Sequence, residues 1–239
     1  MEYCLDVRDL TKKFQGRTVV DHLSFQVKRG EVFGILGHNG AGKTTAIETI
    51  LGLHQPEEGI AYIMGKEARK ERKLLFQHIG VQLQASSYPN HIKVKEVCEE
   101  IAALYEQPED YLKLLQQFGL KQYLLQKVEK LSGGERQKLS IVVALISKPD
   151  LIFLDELTTG LDVAARRSVW EILKGLKQQG MTMILTTHYM EEAQYLCDRI
   201  LLMKQGKAIQ MGTIQEIVNN QGYHNLEEAY LSYMKEELK

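Results

Sequence analysis

From Cys4 to Glu31 apolar and polar residues alternate in short runs, with Val19, Leu23, Phe25 and Val27 among the apolar positions and Gly16 and Gly30 as turn residues. A period of two between turn residues predicts antiparallel strands. Val32-Phe33-Gly34-Ile35-Leu36 breaks the alternation. A continuous apolar run of that length is a strand buried on both faces, and it ends in glycines before a helix predicted over Thr44 to Leu53. Between Gln84 and Lys130 the texture becomes helical: Val94, Val97, Ile101 and Leu104 recur at helix spacing, and Tyr111 to Phe118 follow Pro108 and stop at Gly119. Parallel-sheet texture returns at Leu151-Ile152-Phe153-Leu154 and at Met181 to Leu185. Arg199 to Met203 and Lys207 to Met211 flank Gln205-Gly206 as a hairpin. Thr213 with Glu216 and Asn225 with Glu228 are capping boxes that predict two closing helices. The pattern is that of an α/β protein with a mostly parallel core sheet, an N-terminal antiparallel β-subdomain and an inserted helical subdomain.

Composition narrows the class. The chain has 239 residues, 44% of them apolar and 26% charged, with a formal charge of -1. That suits one well-buried unit, and mixed charges without a basic stripe give no reason to expect a nucleic-acid partner. Cys4, Cys98 and Cys197 are odd in number and far apart, which suggests neither a disulfide framework nor a zinc site and fits a reducing cytosol. The first residues carry acids where a signal peptide needs a basic flank, so secretion is not expected. The longest apolar runs fall short of the roughly 20 residues that span a bilayer, so membrane contact has to come through a partner.

Gly37-His38-Asn39-Gly40-Ala41-Gly42-Lys43-Thr44 fits G-x-x-x-x-G-K-[ST], between a predicted buried strand and a predicted helix. Glycines let backbone N–H groups turn around phosphate oxygens, and the helix start adds a positive dipole end. Lys43 is placed for the β and γ phosphates, Thr44 for magnesium, and Thr45 continues the loop into the helix. His38 and Asn39 occupy variable loop positions, His38 as a solvated residue. Asp155 and Glu156 follow the apolar run Leu151 to Leu154, at a strand's carboxyl end where ligands of such sheets collect. Asp155 is read as a magnesium ligand through water, and Glu156 as the base that polarises an attacking water. His188 closes another strand end, Leu185-Thr186-Thr187-His188; it is either a γ-phosphate contact or a structural histidine, and the pattern leaves both open.

Leu131-Ser132-Gly133-Gly134-Glu135 precedes a long helical run through Ile146. Here the chain resembles the ATP-binding cassette (ABC) ATPases, which carry in order a phosphate loop, a glutamine loop, an L-S-G-G-Q-like signature, an acidic strand end, a G-L-D loop and a switch histidine. The corresponding residues are Gly37 to Thr44, Gln84, Leu131 to Glu135, Asp155-Glu156, Gly160-Leu161-Asp162 and His188. The resemblance covers about Leu5 to Gly212. It implies a P-loop NTPase of the ABC type: residues 1–84 and 151–212 as a RecA-like core with the β-subdomain, 85–150 as the helical subdomain and 213–239 as C-terminal helices, all in one ATPase domain.

The same resemblance implies the roles. Phe14 stacks on adenine, with a core position as the open alternative. Gln84 links magnesium to the helical lobe, with Gln82 in reserve. Ser132, Gly133 and Gly134 bind the γ-phosphate held by a second subunit, and Asp162 belongs to the loop at that junction. Two cassettes, expected as a homodimer, close on two Mg-ATP and drive a separate transmembrane permease from the cytoplasmic side of the cell membrane. The region of Tyr88 to His91 is where the family docks that subunit; by residue pattern alone it is a solvated loop. The motif style and the short tail resemble bacterial exporter cassettes, and a soluble non-transport ABC ATPase is the alternative. Two residues depart from the family pattern: Glu135 stands for the commoner glutamine and is expected to point away from phosphate, and Leu157 stands for a proline, restoring an N–H. The terminal helix, with Leu226, Tyr230, Tyr233 and Leu238, packs on its own core or on a second subunit.

Overall fold

The computed structural model describes residues 3–83, 88–219 and 222–235. The N-terminal alternation forms a long hairpin, β1 (Tyr3–Phe14) and β2 (Arg17–Lys28), in antiparallel register from Tyr3 opposite Lys28 to Phe14 opposite Arg17. β4 (Glu58–Ile63) and the two-residue β5 (Lys66–Glu67) extend it to a four-stranded sheet of order β2-β1-β4-β5. The second sheet holds β3 (Val32–Leu36), β6 (Ile79–Gln82), β7 (Leu151–Asp155), β8 (Thr182–Thr187), β9 (Arg199–Lys204) and β10 (Lys207–Gly212). Its order is β10-β9-β3-β8-β7-β6, parallel throughout except for the β9–β10 hairpin.

The continuous apolar runs are explained by what covers each face. Phe33, Ile35, Phe153, Ile184, Leu201 and Met203 pack with the antiparallel sheet and with α1 (Lys43–Ile50). Their neighbours Val32, Leu36, Ile152, Leu154, Met183, Leu185, Ile200 and Leu202 join a second apolar cluster with the helices that follow β6. Alternate side chains point to opposite faces, so a strand covered on both leaves charges only at its ends, as at Asp155, Arg199 and Lys204. Burying a Leu or Phe side chain contributes about 1.5–3 kcal/mol, which makes these central strands the most costly to alter.

α2 (Arg72–Leu75), α3 (Val94–Ala102), α4 (Tyr111–Gln117) and α5 (Gly133–Leu145) precede β7. Asp110 caps α4 by accepting from the Leu112 and Lys113 N–H groups. α6 (Val163–Gln178) and α7 (Met190–Leu196) flank β8, and α8 (Ile214–Asn219) and α9 (Leu226–Lys235) close the described chain. α1 ends at Ile50, short of the predicted Leu53, because Gly52 turns the chain at φ +71°. The Thr213–Glu216 capping box is present with both bonds, 2.7 and 3.2 Å. In the second box Asn225 accepts from the Glu228 N–H, but the Glu228 carboxylate accepts from the His224 N–H, one residue before the predicted partner. Leu226, Tyr230 and Tyr233 of α9 are buried in the chain's own core; Leu238 lies outside the described residues.

Candidate active site

β3 ends at Leu36 and α1 begins at Lys43, so the phosphate loop occupies a strand-to-helix turn at the carboxyl edge of the parallel sheet. Its glycines are enforced by crowding. A Cβ on Gly37 would lie 2.5 Å from the Met203 carbonyl oxygen, and one on Gly42 would collide with the carbonyl oxygen of Val19, where φ is already +101°. Ala41 donates to His38 O at 3.1 Å to close the turn, while His38 and Asn39 are exposed and His38 Nδ1 meets Asn39 O at 2.7 Å. Lys43, 4% exposed, donates its ammonium to Gly37 O at 2.9 Å and His38 O at 3.2 Å. A phosphate entering the turn competes with those carbonyls for the same ammonium. The loop is supported from elsewhere: Gly206 of the β9–β10 turn donates to Ala41 O at 2.9 Å.

β7 and β8 carry the polar groups opposite. Asp155 Oδ2 accepts from Thr44 Oγ1 at 2.8 Å, and its Oδ1 takes the Thr186 hydroxyl. Burial pushes the Asp155 carboxyl above its ordinary pKa, against the pull of those two hydroxyls. Glu156 Oε1 lies 3.0 Å from Lys43 Nζ and 3.8 Å from His188 Nδ1. The Glu156 backbone is left-handed, φ +47°, and its N–H donates to the Thr186 hydroxyl at 3.0 Å. A non-glycine residue held there is strained by about 1–3 kcal/mol, a cost that turns the carboxylate out of the strand direction and toward the loop. Lys43, Thr44, Asp155, Glu156 and His188 are thus gathered at one sheet edge. Lys43, Thr44 and Glu156 line a hollow of about 350 Å³ with Val19, Asn39, Gly40, Gly42 and Thr45. A larger hollow of about 1060 Å³ lies against β1, β2 and the start of β9, and the residues of the phosphate loop lie outside it.

The other candidates fall in different places. Phe14 is 41% exposed at the end of β1, so it is no core residue; one side of its ring faces Lys12 Nζ at 5.0 Å and its edge meets His54. Gln84 lies outside the described residues. The reserve residue Gln82 is buried in β6, donating to Leu83 O while its Oε1 has no hydrogen-bond partner among the described residues. Ser132 caps α5, and Glu135 returns its carboxylate to the Ser132 N–H at 2.8 Å. The Tyr123 hydroxyl and then that N–H hold the Glu135 carboxyl below the usual carboxylate range. Gly133 and Gly134 lie against Leu161 and Ala165, and Asp162 caps α6 by accepting from Ala165 N–H at 2.9 Å. Among the described residues no hydrogen bond joins Ser132, Gly133 or Gly134 to the phosphate loop. Leu157 is buried in the core beside the helices. Tyr88 is half-buried with its hydroxyl 3.3 Å from Ser140 Oγ, whereas Pro89, Asn90 and His91 are exposed.

The sequence reading missed Thr186, Thr158 and Glu192. Thr186 was visible only as a polar residue ending an apolar strand. Glu192 is buried on α7, and its Oε1 accepts from Thr158 Oγ1 and Trp170 Nε1, each at 2.8 Å. It ties the loop after Glu156 to α6 and to the helix after His188.

The ABC transporter family model matches residues 20–159. The chain belongs to the ABC transporter family. It is 36% identical over 231 residues to the Nod factor export ATP-binding protein I of Ralstonia nicotianae, a span of 95% of this chain and 72% of that protein. It is equally identical over 221 residues to the probable multidrug ABC transporter ATP-binding protein YbhF of Escherichia coli, covering 90% of this chain and 38% of that relative's length. Among solved structures it is similar to an ATP-binding subunit of an ABC transporter, with a TM-score of 0.87 and 28% identity over 97% of this chain and all of that one. The fold is that of an ABC ATPase: the β1-β2-β4-β5 sheet, the P-loop core sheet and the helices between β6 and β7 are its parts. Among the described residues no helix is long and apolar enough to cross a membrane.

Proposed function

We propose that this ABC ATPase binds Mg-ATP between two copies of itself, hydrolyses it and drives export through a separate membrane-spanning subunit on the cytoplasmic face of the membrane. The observation that carries the reading is the convergence of Lys43, Thr44, Asp155, Glu156 and His188 on one sheet edge, with Thr44 and Asp155 2.8 Å apart and Lys43 and Glu156 3.0 Å apart. Thr44 and Asp155 supply hard oxygen donors side by side, which fits magnesium, an ion that takes one or two protein oxygens and keeps its waters. When bound, that ion neutralises charge on the phosphate oxygens. Lys43 moves from the Gly37 and His38 carbonyls onto phosphate oxygens, the loop amides and the start of α1 orient the triphosphate, and Phe14 offers its open ring face to the base. Glu156, freed of its ion pair with Lys43, accepts a proton from water, and His188 fixes the γ-phosphate end beside it.

That Ser132, Gly133 and Gly134 make no bond to their own phosphate loop supports a role on the second copy's nucleotide. Dimerisation then follows from ligand linkage, because ATP bound by both surfaces stabilises only the closed pair. The half-buried Tyr88 next to exposed Pro89 to His91 supports a docking edge on the helical lobe. Export is supported by the names of the relatives, which are a Nod factor export protein and a probable multidrug transporter.

Glu156→Gln is expected to run as a dimer on size exclusion at saturating Mg-ATP with turnover reduced at least about a hundredfold, a general base contributing roughly 10²–10⁴. A variant that stays monomeric and hydrolyses normally refutes the assignment of Glu156. Purification from gently solubilised membranes is expected to bring a multi-spanning subunit in stoichiometric amount; the ATPase recovered alone or on a soluble assembly replaces the transporter reading with the non-transport one.

A further inference from the structure

His188 has to present one edge of its ring beside Glu156, yet among the described residues no hydrogen bond at its inner nitrogen holds it there. Nδ1 is buried, stands 3.8 Å from Glu156 Oε1 and has no hydrogen-bond partner among the described residues. What meets the ring is Tyr189, with centroids 4.1 Å apart and planes tilted by 40°. The Tyr189 N–H donates to Thr187 Oγ1 at 3.0 Å, fixing the backbone from which both rings project. The Tyr189 ring is met in turn by the Arg166 guanidinium, 4.0 Å above its centroid. Arg166 lies on the first turn of α6, one turn after Asp162, and reaches back to the Leu161 carbonyl at 3.5 Å. Its Nε is buried without a hydrogen-bond partner among the described residues. A half-buried guanidinium whose Nε lacks an acceptor among the described residues draws electrostatic compensation from the π face it covers, and its planar shape lets it stack where an ammonium would not.

We infer that Arg166 and Tyr189 are positioning residues that fix His188 for hydrolysis and tie it to the Gly160-Leu161-Asp162 loop. The stack makes the seat of that loop and the orientation of the histidine one mechanical unit: a shift of Leu161 and Asp162 carries Arg166, which carries Tyr189 and with it the imidazole. This rests on the reading of His188 and Glu156 as hydrolytic groups. The loop flanks Gly133 and Gly134, so the arrival of a second copy at the signature segment is felt at His188 without any contact to it.

The test uses the full chain, with ATP affinity from a fluorescent nucleotide titration and the hydrolysis step from single-turnover kinetics. Tyr189→Leu is expected to slow hydrolysis about tenfold or more, misplacement by about an ångström costing up to a hundredfold, while affinity changes less than about twofold. Tyr189→Phe keeps the ring and restores most of the rate. Arg166→Met keeps the aliphatic stem, slows hydrolysis by a similar factor, and adds little in the double variant because both act through one stack. His188→Ala separates the premise from the inference. A slow His188→Ala with Tyr189→Leu at the wild-type rate overturns the stack alone; His188→Ala at the wild-type rate overturns the reading of the histidine and the stack with it. Equal losses of affinity and rate in both Arg166→Met and Tyr189→Leu also overturn it, since a positioning role splits the two.

Discussion

Gly206 belongs to no motif, yet it is as constrained as the glycines of the phosphate loop. Its φ is +85°, its N–H donates to Ala41 O, and a Cβ there would stand 2.6 Å from the Val19 carbonyl oxygen. Gly206→Ala is expected to destabilise the protein by about 1–3 kcal/mol and to weaken ATP binding, because the displaced turn pulls on Ala41. Denaturant unfolding and nucleotide titration of the same variant check both halves. The contrast shows what was legible. The phosphate loop is contiguous, since a turn around phosphate needs its glycines, lysine and threonine in immediate succession, and it could be read directly. Gly206 acts on that loop from more than 160 residues away, and Thr186 is set against Asp155 only by the register of β7 and β8. Neither constraint leaves a local pattern.

Among the elements, α7 is held by one buried carboxylate as well as by the apolar contacts of Ala193 and Leu196. Glu192 accepts from Thr158 in the loop after β7 and from Trp170 in α6. Glu192→Leu is expected to cost about 2–6 kcal/mol, since each of the two donors left unsatisfied costs about 1–3 kcal/mol, whereas Glu192→Gln keeps a carbonyl acceptor and costs less. Thermal unfolding of the two variants decides the ranking. The strands themselves were legible from period and continuity, and so was the β9–β10 hairpin. Their order was not, because nothing in Leu151 to Leu154 says that β8 lies on one side and β6 on the other. The second capping box slipped by one residue for a related reason: the Glu228 carboxylate accepts from the His224 N–H rather than from that of Asn225, a choice the local pattern does not record.

For the molecule as a whole, the three thiols sit inside. Cys4 and Cys98 are fully buried and Cys197 nearly so. Burial, helped by the charge of Glu99, pushes the Cys98 thiol up to about 12, and burial raises Cys4 and Cys197 as well. At pH 8 a thiol of that pKa is thiolate in only about one molecule in 10⁴, and the thiolate is the reactive form. Native protein is therefore expected to resist a thiol reagent that labels all three cysteines at once in denaturant; labelling of Cys98 in the native state at the unfolded rate contradicts its burial. The same compactness gives the protein an internal lamp. Trp170 is the sole tryptophan of the chain, and its indole N–H donates to Glu192 within 2.8 Å while its ring lies against Tyr195. Every photon emitted on indole excitation thus originates at the junction of α6, α7 and the loop behind Glu156. If the proposed closure around nucleotide moves that junction, the emission colour and lifetime of the unmodified protein are expected to shift on adding Mg-ATP, and a stopped-flow trace of that glow times the shift against phosphate release.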